Sequence, residues 1–118
     1  MKPIKFRGFD GVDWVYGISI AYDKESDTLN MLVDDDWIYV NKISQFTGLY
    51  DKKGKGIFIE DLFSTRMYDE TFTFEVSVDD FSKTPVLDTG DSKLDLYRWN
   101  LEGEVVGTIH DEYFEKNL

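Results

Sequence analysis

Residues 71–78, TFTFEVSV, alternate apolar and polar side chains without a break. Phe72, Phe74, Val76 and Val78 share one side and Thr71, Thr73, Glu75 and Ser77 the other, the period of two that marks a half-buried strand. WVYGISIAY (14–22) keeps a similar beat in β-branched and aromatic residues, and the DKESD that follows reads as a turn. MLVDDDWIYV (31–40) predicts two short strands bent at Asp34, Asp35 and Asp36. NKIS (41–44) reads as a single helical turn capped by Asn41. SQFTGLY and GIFIEDLF then flank DKKGK, a hairpin by its aspartate, its lysines and Gly54. KLDLYRW (93–99) and EVVGTIH (104–110) are strand-like, with the turn NLEG between them, and DEYFEKNL (111–118) has the pattern of a short helix. DDFSKTPVLDTGDSK (79–93) reads as a loop, because Pro85 and Gly90 interrupt pairing.

Nine or so short strands with little helix predict a mainly β domain, all-β or β-rich α+β. The expected form is a small partly open barrel or bent antiparallel sheets with a short C-terminal helical turn. Residues 1–118 are read as one domain, and a shift in composition near residue 60 suggests two β lobes. Strand edges in such a fold need protection, and pairing with another copy is one way to supply it, so a homo-oligomer is expected.

Composition narrows the function classes. Hydrophobic residues make up 42% of the 118 and aromatics 16%, enough for a packed core without staples. The chain has no cysteine, which removes disulfides and thiolate metal sites. MKPIKFRGFD at the start carries charge but no apolar core, and no apolar run approaches membrane-spanning length, so a cytoplasmic protein away from membranes is expected. The net charge is −11, unevenly spread: residues 1–59 carry a net of −1 and residues 60–118 a net of −10. Such a polyanion resists nucleic acid, which argues against direct nucleic-acid binding. The charge serves solubility first and a basic partner second.

Several tempting motifs do not carry chemistry. Asp88-Thr89-Gly90 matches the triplet of aspartic proteases, whose mechanism needs two such aspartates sharing one proton. Asp91 puts a further charge where those sites hold a small residue, so the triplet reads as a turn. Asp34, Asp35 and Asp36 are adjacent, point to alternate faces, and are poorly placed to converge on one cation. His110 is the only histidine and has no nucleophile beside it in sequence. A histidine near a strand end reads as structural. Carboxylate pairs such as Glu60-Asp61 and Glu102/Glu104 arise by chance in a chain this acidic. No catalytic constellation, metal site or cofactor site is therefore expected. Gly54-Lys55-Gly56 lacks the full spacing of a phosphate-cradling loop. Lys52, Lys53 and Lys55 nonetheless form a small basic tip, the one weak candidate for a small anion or nucleotide.

The same stretch carries a family resemblance. Gln45-Phe46-Thr47-Gly48-Leu49, Asp51-Lys52, Gly54-Lys55 and Ile57 resemble the pattern QFTGL-x-DK-x-GK-x-I of the YopX-like proteins of bacteriophages and prophages. IKFRGFD (4–10), WVYG (14–17) and VVGTIHD (105–111) are similar to other stretches of that family, leaving residues 62–104 unmatched. The chain departs from the pattern at Glu60, which stands where the family has glycine. Glutamate adopts φ > 0 only at a cost, so the local bend is expected to differ there. His110 stands where the family has an aromatic, which favours packing over catalysis. The resemblance implies a mainly β fold, a phage or prophage origin, action in the bacterial host cytoplasm, and self-association or binding to a host or phage protein. It brings no catalytic residue across. The motif residues themselves are expected to be structural.

Overall fold

The computed structural model describes residues 4–111. Among them the chain forms β1 (Phe6–Phe9), β2 (Trp14–Gly17), β3 (Ser19–Asp23), β4 (Thr28–Val33), β5 (Asp36–Val40), β6 (Lys42–Tyr50) and β7 (Gly56–Phe58). There follow β8 (Asp61–Met67), β9 (Glu70–Val78), β10 (Pro85–Asp88), β11 (Lys93–Asp95), the helical turn α1 (Leu96–Trp99), and β12 (Gly103–Thr108). The expected mainly β fold is present as antiparallel sheets that stay open, and no barrel closes among the described residues. The helix expected over DEYFEKNL lies, apart from Asp111, outside the described residues.

Contacts divide the chain into two compact units between Phe46 and Thr47, inside β6. The step in charge near residue 60 falls within the second unit. In the first unit β1 pairs with both β2 and the start of β6. A second sheet runs β3-β4-β5. The bend at Asp34, which has φ 54°, joins β4 to β5 as expected. Met31 and Val40 are fully buried. Gly17 fits because it has no side chain: a Cβ there would lie 2.3 Å from the Leu32 carbonyl oxygen and 2.7 Å from Met31.

The second unit is built on the sheet β11-β10-β9-β8-β12. Phe74 and Val76, from the alternating run, are buried in a core with Ile57, Phe63, Met67, Leu87 and Leu96. Phe72 and Val78, at the ends of that run, remain exposed. The register places Phe63 opposite Phe74 and Val76 opposite Leu87, so each inward residue of β9 meets an inward residue on a neighbouring strand. Such cross-strand pairs are the unit of sheet stability.

Three local readings give way to tertiary pairing. NKIS is not a helical turn: Asn41 donates its N–H to the Phe9 carbonyl at 2.7 Å, and Lys42, Ile43 and Ser44 pair with β1. An available partner strand outweighs a weak capping signal. Residues 79–93 are not all loop, since Pro85–Asp88 form β10 between β9 and β11. Pro85 is tolerated as the first residue of that strand, and Val86 and Leu87 supply the burial. KLDLYRW is strand only to Asp95. Leu96 and Trp99, three apart, then turn onto the same core as one helical turn.

Candidate functional site

The 45–62 stretch folds as the expected hairpin, in which Thr47 and Asp51 bond the backbone. Gln45 lies exposed opposite Phe6, and the half-buried Phe46 donates its N–H to the Lys5 carbonyl. Thr47 Oγ1 donates to the Ile57 carbonyl at 2.7 Å and accepts from Leu49 N–H. Gly48 sits at φ 84°, while Leu49 and the fully buried Ile57 belong to the core of the second unit. Gly54 has φ 82°, a left-handed conformation that glycine adopts at no steric cost.

Asp51 is the centre of this arrangement. It is only 3% exposed. One carboxylate oxygen accepts the N–H groups of Lys53 and Lys55, each at 2.9 Å, and the other accepts Val105 N–H at 2.9 Å. Burial acts to raise its pKa, but the N–H groups of Val105, Lys55 and Lys53, with the Lys55 charge, outweigh it and hold the group below its ordinary 3.8. Lys52 N–H adds a bond to the Gly103 carbonyl, and Asn100 Nδ2 donates to the Tyr50 carbonyl. The hairpin is thus tied to β12 by backbone and side chain together. The lysines of the tip are exposed, but Lys53 Nζ pairs with Glu104 at 2.7 Å. That contact raises the Lys53 pKa and lowers that of Glu104.

Glu60, which stands where the family pattern has glycine, adopts a left-handed bend. Its φ is 76°, its N–H donates to the Val76 carbonyl, and its carbonyl accepts Ile109 N–H. Fixed at both ends, the residue is held in the left-handed region despite its side chain. Its carboxylate lies 2.7 Å from His110 Nε2. His110 therefore makes a polar contact as well as filling space, with no nucleophile in the contact. Asp61, fully buried next to Glu60, accepts Phe58 N–H at 2.8 Å.

The Asp88-Thr89-Gly90 triplet is a turn. Asp88 Oδ1 accepts Gly90 N–H, and Thr89 Oγ1 accepts Ser92 N–H and donates to the Ser92 carbonyl. This turn and the β8–β9 turn flank an open groove of about 430 Å³, lined by Met67, Tyr68, Phe72, Phe74 and Leu94 with Asp88 and Asp91 among its polar groups. Sequence reasoning had no signal for it, because its two walls come from separate turns. Asp34, Asp35 and Asp36 occupy a hairpin bend, and no cluster of three or more metal-ligating residues occurs among the described residues.

A second surface feature lies at the edge of the β3-β4-β5 sheet. Among the described residues β3 pairs with β4 alone. All five of its residues, Ser19-Ile20-Ala21-Tyr22-Asp23, are exposed, with Ile20 at 44% and Tyr22 at 58%. Tyr22 donates its hydroxyl hydrogen to Asp27 across its own hairpin, which positions the ring. The strand contains no proline, lysine or bulge, and Asp23 at its end is its one charged residue.

No helix among the described residues is long and apolar enough to cross a membrane. No curated protein matches the chain. The family model described as YopX protein matches residues 5–113, nearly the whole length, including the stretch between the quoted motifs. The chain belongs to the YopX protein family.

Proposed function

We infer that this chain is a non-catalytic protein-binding module that self-assembles through β3, serving as an accessory protein of a bacteriophage or prophage in the host cytoplasm. The observation that carries the self-assembly is the open edge of β3 and its self-complementary sequence. In an antiparallel pairing of two copies centred on Ala21, Ala21 faces Ala21 at the twofold axis. Ile20 then faces Tyr22, and Ser19 faces Asp23. No like charges oppose one another, the smallest side chain sits at the axis, and the exposed apolar residues meet across it. The non-catalytic reading is supported by the use of Asp88 and Thr89 in a turn.

Sedimentation of the full chain across a concentration series tests this reading. A dimer is expected, and Ala21→Lys, at an exposed position that the monomer tolerates, shifts it to monomer by placing two lysines together at the axis. A wild-type chain that remains a monomer at high concentration overturns it. The second reading is a small anionic ligand or nucleotide at Lys52, Lys53 and Lys55. It is favoured by the exposure of the three lysines, though Glu104 competes with any anion for Lys53. A thermal shift with nucleotides, lost on Lys52→Ala and Lys55→Ala substitution, would support that reading instead.

A further inference from the structure

We propose that the groove between the β8–β9 turn and the β10–β11 turn binds a lysine or arginine side chain within a basic segment of a partner protein. This site is separate from the β3 edge and does not depend on it.

The floor of the groove is apolar and aromatic. Phe72 and Phe74, two apart on β9, project to the same side with ring centroids 6.1 Å apart and planes within 18° of parallel. Met67 and Leu94 complete the floor, and Tyr68, 94% exposed in the β8–β9 turn, stands at the rim. The other rim carries Asp88 and Asp91. Aromatic faces carry negative potential and attract cations, and carboxylates at the rim add to that attraction. Lys93 lies opposite Asp88 in the register but extends to Asp79 Oδ1 at 3.5 Å. Its ammonium is thus engaged by a carboxylate that does not line the groove.

Charge complementarity selects the occupant. Residues 60–118, which supply every residue of the groove, carry a net charge of −10, a field that draws in a basic partner and repels an acidic one. Lysine and arginine fit the composition of the groove atom by atom, because their methylene stems cover apolar surface while the charged end reaches polar groups. A volume of about 430 Å³ leaves room for residues flanking the cation, and an open shape admits an extended chain. A free inorganic cation has no methylene stem with which to cover the apolar floor.

The test is fluorescence polarisation of the full chain with a short labelled peptide alternating lysine and leucine. The control peptide has norleucine in place of lysine. Binding of the lysine peptide is expected, weakened about fivefold by Asp91→Asn and by about tenfold or more by Phe72→Ala. Glu25→Gln removes one negative charge from an exposed turn of the first unit and is expected to leave binding unchanged. Asp91 is exposed, so its substitution keeps the test sound even if Phe72→Ala fails to fold. Absence of binding, equal weakening by Glu25→Gln and Asp91→Asn, or equally tight binding of the norleucine peptide each overturns the proposal.

Discussion

Replacing Asp51 removes a carboxylate that accepts three backbone N–H groups, two within the 51–55 turn and one from β12. Hydrogen bonds to a charged acceptor contribute about 1.5–3 kcal/mol each, and a buried donor left without a partner costs about 1–3 kcal/mol. Lys53 and Lys55 are exposed, so water can re-solvate their N–H groups and their losses fall low in that range. Val105 is partly buried, and its loss falls higher. Asp51→Ala is therefore expected to cost about 3–5 kcal/mol in all. That is a large share of the roughly 5–15 kcal/mol that holds a domain folded. Asp51→Asn keeps one carbonyl oxygen and turns its amide toward either the lysine N–H groups or Val105, for a loss of about 2–3 kcal/mol. The pH dependence follows from the depressed pKa of Asp51. Between the folded and unfolded pKa values the unfolded chain binds more protons, so stability rises with pH there. The Asp51 contribution is complete above its ordinary 3.8 and is lost as pH falls through the lower folded value. Urea unfolding followed by tryptophan fluorescence should show a full difference between wild type and Asp51→Asn at neutral pH and a vanishing one in acid. A midpoint unchanged at neutral pH, or a difference that ignores pH, would refute the reasoning.

Other substitutions probe backbone and packing. Glu60→Gly is expected to be about 1 kcal/mol more stable than Glu60→Ala, since both lose the His110 contact but only glycine relieves the left-handed strain; equal stabilities in urea would place the strain elsewhere. Gly17→Ala forces a methyl against the Leu32 carbonyl and is expected to destabilise the first unit by about 1–3 kcal/mol. Proteolysis of that unit at graded urea concentrations reads the loss, and wild-type resistance counts against the close approach. Phe63→Ala, at a fully buried position, should cost about 3–5 kcal/mol and lower the urea midpoint accordingly.

Local pattern was enough for much of this protein. Alternation in TFTFEVSV identifies β9, the aspartates at 34–36 mark the bend between β4 and β5, and the glycine and lysines of DKKGK mark a turn. These signals are local because side-chain period and turn conformation are set by a few neighbouring residues. The same motif identifies the family, yet it does not by itself show that Asp51 reaches Val105, 54 residues away. Nor could Pro85 show that it opens a strand between two others, or NKIS that β1 would claim it. Glu60 holds its left-handed bend because Val76 and Ile109, both distant in sequence, bond its two backbone groups. The acidic groove and the open edge of β3 likewise depend on which strands find partners. Strand pairing is a contest between distant segments, settled by burial and backbone hydrogen bonding across the whole unit. No window of neighbouring residues contains its outcome.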